Sequence, residues 1–367
     1  MMIAVSVLLA LLAAACGGGG SGPISIGVIT TLTGPETTVG EDVARGVQFG
    51  IDAVNEAGGI RARKLNLVKE DGKYSPETAM QAVRKLIETD AVPVIVNGTP
   101  INVMLGWLEY AKSKDVVVIN VAATTQAGGE QTGLSKMVFT LGVPATLLGQ
   151  ELARWVHEGN RRKIVVLGPD SAFGAEFRQA AAEEFRRLGG EVAASASYKE
   201  GLADYTADLK QIAAKGPDAI VLGLYGGDGK QLFTQATTAG LAVPWYVSYP
   251  SQIVLDDPAQ AAGRLFGLEV GYTSSSAQKF RQHFVASLPN HKPTAWAAFS
   301  YDGMWLLAQA MRQQGENKKA IAAVFIRGAP GYSGATGVIT FSEDGNRIKP
   351  PLERLQMTRQ GELVPSE

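Results

Sequence analysis

From Ile24 to Ile60 the chain reads ISIGVITTLTGPETTVGEDVARGVQFGIDAVNEAGGI, and the order of its parts restricts the fold sharply. Ile24 to Ile29 is a short apolar run of strand length, rich in β-branched residues. A polar loop from Thr30 to Val39 follows, broken by Gly34 and Pro35. Val43, Val47, Ile51 and Val54 then recur at helical spacing, so one face of a helix is apolar. Gly58 and Gly59 supply the stop. A buried strand thus hands a loop of small hydroxyls to an amphipathic helix. In an open α/β sheet, the space beyond the carboxyl end of such a strand is where ligands sit.

The same alternation continues. Lys64 to Lys69 reads as a strand, and Ser75-Pro76 opens a helix whose inner face is Ala79, Val83 and Leu86. Val92 to Val96 and Val116 to Val121 are further buried strands, with a helix to about Lys112 between them. Near Leu141 to Pro144 the pattern restarts. Leu148 to His157 reads as a helix, and Lys163 to Leu167 as a strand. After the loop Gly168 to Gly174 comes a helix faced by Phe177, Ala181, Phe185 and Leu188. Glu191 to Tyr198, Ala219 to Leu224, Trp245 to Ser248 and Leu265 to Tyr272 read as later strands. Helices are expected at Asp204 to Lys215, Gly229 to Ala239, Gln278 to Leu288 and Thr294 to Gln314. Val338 to Phe341 and Leu352 to Met357 are expected as strands around a turn at Glu343 to Asn346. Strands alternating with helices mean βαβ units and parallel sheets.

A chain of 367 residues holds two domains of ordinary size, and an apolar fraction of 46% is enough to bury a core in each. Charges nearly cancel, 34 basic against 35 acidic residues, which argues against a nucleic-acid or anionic-membrane partner held by gross charge. Enzyme signatures are missing. His157, His283 and His291 have no neighbour at metal-ligand spacing, and neither a phosphate-binding loop nor a serine-nucleophile elbow occurs. The reading is therefore a binding protein without a cofactor or metal, not an enzyme.

The single cysteine, Cys16, ends an apolar run, Ile3 to Ala15, that is too short to span a bilayer comfortably and fits a secretory signal. The string GGGGSG from Gly17 to Gly22 follows and reads as a flexible tether. LLAAAC resembles a bacterial lipobox, whose cysteine is lipidated. It departs from that pattern in having no Lys or Arg before the apolar run and Ala13 where Leu is usual. The expected division is a signal peptide over 1–15 and a lipid-anchored tether over 16–23, placing the protein in the periplasm or on the outer face of the cell membrane.

Strand, TGP loop, helix and NEAGGI resemble the opening of periplasmic solute-binding proteins of ABC importers, of the leucine/isoleucine/valine-binding type. GLADYTADL at Gly201 to Leu209, GPDAI at Gly216 to Ile220, Gly240-Leu241 and FSYDG at Phe299 to Gly303 carry the likeness along nearly the whole mature chain. The resemblance implies a type I bilobed fold: two doubly wound parallel-sheet lobes joined by three chain crossings. The crossings would lie near Leu141 to Pro144, Gly267 to Thr273 and Gly337 to Asn346. Lobe 1 would be 24–142 plus 270–337, and lobe 2 would be 143–269 plus 338–367.

Candidate ligand contacts lie in loops at strand ends. In the first lobe, backbone N–H groups and hydroxyls of the loops holding Thr99, Asn102, Ala122, Ala123 and Thr124 suit a carboxylate. The resemblance assigns Ala122 to Thr124 to the ligand's α-carboxylate and α-ammonium. In the second lobe it places ring contacts at Phe173 and Tyr225, each just beyond a strand. Two departures bear on the ligand. Ile101 and Asn102 replace a serine-rich turn. Tyr249 stands where amino-acid binders carry an acid for the α-ammonium, although Asp228, Asp256 or Asp257 can serve if a loop folds inward. The expected ligand is a branched-chain amino acid or a related small carboxylate. The alternatives are an aromatic or aliphatic acid lacking an ammonium, or a role as the ligand-binding module of a sensory system. Expected partners are the small carboxylate and ABC permease subunits in the inner membrane, with the protein itself a monomer.

Overall fold

The computed structural model describes residues 22–34, 36–122, 137–327 and 332–366. β1 (Ile24–Thr30) leads to helix α1 (Thr37–Glu56), whose Val43, Val47, Ile51 and Val54 are at most 1% exposed. Their burial faces β1 and the long helix Ala295–Gln314, against which α1 packs. The two helices approach so closely because α1 carries glycine at the crossing. A Cβ on Gly46 would stand 2.4 Å from the carbonyl oxygen of Ala297. Gly58 and Gly59 end α1 in the left-handed region, at φ 89° and 71°.

Two sheets form. The first runs β2 (Leu65–Asp71), β1, β3 (Val94–Gly98), β4 (Val117–Asn120), β5 (Val138–Thr140), all parallel. The second has a parallel body: β10 (Leu265–Val270), β9 (Trp245–Ser248), β8 (Ala219–Leu222), β6 (Lys163–Pro169) and β7 (Glu191–Tyr198). β13 (Leu352–Met357) and β14 (Leu363–Pro365) add an antiparallel edge beside β10. Each sheet has helices on its faces, so the architecture is two α/β lobes. The buried strands are runs of Val, Ile and Leu because both faces of a parallel sheet are covered. In such sheets all carboxyl ends lie on one side, and here the two sets meet: the loop after β8 bonds to the residues after β4.

The structure departs from expectation in several places. The helix of Phe177 begins earlier, at Ala172, because the Ser171 hydroxyl caps it by accepting from the Gly174 N–H at 3.3 Å. β5 and the helix Lys318–Ile326 have no counterpart in the pattern reading. The expected strand Val338 to Phe341 is instead a two-residue pairing of β11 (Ser333–Gly334) with β12 (Gly337–Val338). Beyond it the chain lies against β5 of the first sheet: the Thr140 N–H donates to the Gly345 carbonyl at 2.8 Å, and the Arg347 N–H donates to the Thr140 carbonyl at 3.0 Å. The return to the second sheet therefore comes at β13 rather than at 338.

This junction is stitched by two buried charges. Arg347, 3% exposed, donates to the carbonyls of Leu141, Thr336 and Val338 and to the Thr336 hydroxyl. Asp302, fully buried, accepts from the Ala335 and Thr336 N–H groups and from the Thr336 and Tyr332 hydroxyls, at 2.6–2.9 Å. Burial raises the Asp302 carboxyl above its ordinary range, while the Thr336 bonds, the Ala335 bond and Arg347 pull the other way.

Candidate functional site

Between the two sets of strand ends lies a cluster of rings drawn from both lobes. Tyr225, three residues past β8, is 2% exposed. Its hydroxyl donates across the cleft to the Ala122 carbonyl at 2.7 Å. Its ring lies 5.2 Å from that of Phe173 in its own lobe and 5.1 Å from that of Trp296 in the opposite lobe. Tyr249, directly after β9, also lies 5.1 Å from Trp296. Tyr249 is fully buried and held in the left-handed region at φ 53°. Offset and tilted ring pairs at these separations are attractive beyond the area they bury.

The first-lobe side of the cleft is built on asparagines at strand ends. Asn97 Nδ2 donates to the Thr99 carbonyl at 2.9 Å and to Asn120 Oδ1 at 3.0 Å. Asn120 Nδ2 donates to the Thr140 hydroxyl at 3.1 Å. One ladder of amides thus fixes the ends of β3, β4 and β5, and through them the position of Ala122. Thr99 belongs to this ladder: its hydroxyl and N–H both donate to Asn97 Oδ1, at 2.6 and 3.0 Å. Its side chain is fully buried, and both donors are turned to Asn97. Asn102 is exposed on the second residue of the helix Ile101–Ser113.

Of the expected contacts, then, Ala122, Phe173, Tyr225 and Tyr249 come together in one interlobe cluster, whereas Thr99 bonds to Asn97 and Asn102 is exposed. Ala123, Thr124 and Cys16 lie outside the described residues. Trp296 was missed. It lies one residue into the helix Ala295–Gln314, and the only sequence signal was a large aromatic at a helix start, where a ring faces the ends of neighbouring strands.

Charged groups also surround the cleft. Asp228 is engaged: its Oδ1 accepts from the Tyr205 hydroxyl at 2.6 Å and from the Gly201 N–H at 2.9 Å. Asp256 pairs with Lys230 at the surface, and Asp257 caps the turn at Pro258. None of these three reaches the Tyr249 end of the cleft by a hydrogen bond. Glu269, on β10, is 2% exposed, and burial pushes its carboxyl up to about 7 against the pull of Ser251. Its Oε2 accepts from the Ser251 N–H at 3.3 Å, and Oε1 has no hydrogen-bond partner among the described residues. Among the described residues no group of three or more His, Cys, Asp or Glu side chains is placed to hold a metal ion. No helix among them is long and apolar enough to cross a membrane.

The family model described as periplasmic binding protein matches residues 23–362. A Leu/Ile/Val-binding protein homologue of Brucella melitensis is 23% identical over 338 residues, 90% of each chain. Among solved structures, the substrate-binding protein of a branched-chain amino acid transporter from Streptococcus pneumoniae, in complex with isoleucine, superposes with a TM-score of 0.79. It is 23% identical, and the match covers 94% of this chain and 99% of that one. A solute-binding protein of an ABC transporter from R. palustris, in complex with benzoate, superposes with a TM-score of 0.82 at 19% identity, covering 94% and 95%.

Proposed function

We propose, since the chain belongs to the periplasmic binding protein family, that it captures a small carboxylate-bearing molecule by hinge closure and presents it to the permease of an ABC importer. The observation that carries this reading is the hydrogen bond from Tyr225 to Ala122, flanked by rings of both lobes. A contact of that kind exists only when the lobes are together, so it couples closure to whatever fills the cleft. The lobe boundaries 24–142 plus 270–337 and 143–269 plus 338–367 belong to this reading, and the hydrogen bonds of Gly345 and Arg347 to Thr140 support carrying the first lobe on to 347. Lipid anchoring at Cys16 would hold the protein outside the inner membrane.

Within that class, a ligand without an α-ammonium is favoured over leucine. Tyr249 stands directly after β9, where it can share one hydrogen bond but cannot neutralise a cation. The cleft wall is aromatic, Phe173, Tyr225, Tyr249 and Trp296, which suits a flat or aliphatic acid. The benzoate complex of the R. palustris protein has the same fold. Calorimetry with leucine, its α-keto acid and benzoate tests this. Submicromolar leucine binding with no binding of either acid defeats the preference, and binding of none of a panel of carboxylates defeats the wider reading.

A further inference from the structure

The loop after β8 meets the first lobe through the segment Tyr225-Gly226-Gly227. Tyr225 makes the hydrogen bond to Ala122, and a Cβ on Gly227 would stand 3.4 Å from the Thr38 hydroxyl on α1. Two successive glycines make such a segment costly to order, because glycine has the widest choice of backbone conformations to give up. Yet this segment is tied down along its length. Ser248, at the end of β9, donates its hydroxyl to the Leu224 carbonyl at 3.0 Å and accepts from the Leu224 N–H at 2.8 Å. With its amide nitrogen turned toward the loop, Gln252 donates to the carbonyls of Tyr225 and Gly226 at 3.1 and 3.3 Å. At the far end stands Asp228, 7% exposed.

Asp228 ties the segment to a different loop, the one after β7. Its Oδ1 accepts from the Gly201 N–H at 2.9 Å and from the Tyr205 hydroxyl at 2.6 Å. Tyr205, 1% exposed, is itself fixed: its hydroxyl accepts from the Leu202 N–H at 3.2 Å, and its N–H donates to Gln235 Oε1 at 2.6 Å. Gln235 lies on the helix Gly229–Thr238, which starts directly after Asp228, so the ties close into a ring. One buried acceptor thus joins two loops on the cleft face of the second lobe. We propose that Asp228 is a positioning residue for ligand capture, acting through Tyr225 by holding Tyr225 to Gly227 in the shape that meets the first lobe. The proposal rests on the reading of the cleft as a carboxylate site that closes. With Asp228 in place, the segment is ordered when the second lobe folds. Without it, the ordering falls on closure and is subtracted from the affinity.

A double-mutant cycle tests this by calorimetry on the full chain, with leucine, its α-keto acid and benzoate as probes. Asp228→Ala should weaken binding by about tenfold in the parent. With Tyr225→Ala already in place it should weaken binding by less than about twofold, because the segment then has little left to position. Asp228→Asn keeps an oxygen acceptor for Gly201 and Tyr205 and should bind within about threefold of the parent. Tyr205→Phe removes one donor and leaves the carboxylate, so it should show a smaller loss with the same dependence on Tyr225, and it carries the cycle if Asp228→Ala does not fold. Urea midpoints report folding separately: a purely structural Asp228 lowers the midpoint and leaves the two losses additive. Equal losses in both backgrounds, unchanged binding by Asp228→Ala, or Asp228→Asn binding as weakly as Asp228→Ala each overturn the positioning role and leave the carboxylate reading standing. No binding of any of the three probes to the parent overturns both.

Discussion

Tyr225→Phe isolates the one hydrogen bond that spans the cleft. The change deletes a hydroxyl and nothing else, so the ring contacts with Phe173 and Trp296 stay in place. In the closed form the Ala122 carbonyl, on a residue 1% exposed, loses the donor that sits 2.7 Å away. In an open form both groups would be wet, and the substitution would cost almost nothing there. The loss therefore falls on closure itself. Leaving a buried acceptor unsatisfied costs about 1–2 kcal/mol, which lowers the closed-to-open ratio by about 5- to 30-fold. If the ligand is held by the closed form, the apparent Kd rises by the same factor. Tyr225→Ala also removes two ring pairs worth about 0.5–1.5 kcal/mol each beyond area burial, so it should weaken binding further. Titration calorimetry with the tightest carboxylate of the panel gives both ratios. Small-angle scattering at one subsaturating ligand concentration should show a larger radius of gyration for the Phe variant. A Phe variant that binds within about twofold of the parent would mean that this contact does not gate closure, and the hinge argument would fail.

Three further perturbations probe the frame and the chain start. Asp302→Ala strands four donors in a buried junction, so urea unfolding should show a loss of about 3–5 kcal/mol; a loss under about 1 kcal/mol would show that the network is not structural. Glu269 has its folded value raised to about 7 from 4.5, so its contribution to stability is full below pH about 4.5 and is lost as pH rises towards 7. That span corresponds to roughly 3 kcal/mol. Glu269→Gln should therefore melt higher than the parent at pH 8 and show no such gain at pH 4.5, and an equal difference at both pH values would refute the assignment. If LLAAAC is processed as a lipobox, mass spectrometry of the membrane fraction will find Cys16 as a lipidated N-terminus, while an unmodified Cys16 would remove the anchor and leave the fold untouched.

The sequence alone was enough for most strands and helices of the lobes, because each rests on local periodicity, while the arrangement into two lobes came from the family resemblance. The valines of α1 recur at helical spacing and are buried as that spacing demands, and the runs in β3, β4, β6 and β8 can only be strands covered on both faces. Gly58 and Gly59 end α1 because few other residues adopt a positive φ there without strain. What tertiary structure decided is everything that depends on two distant segments meeting. Thr99 is a cap because Asn97 is two residues away in a turn, a choice of partner that composition does not reveal. Trp296 joins the cleft because α1, thinned by Gly46, lets its helix lie close over the first sheet. Gly345 and Arg347 bond to Thr140 of β5, some 200 positions earlier, through hydrogen bonds that leave no periodic trace.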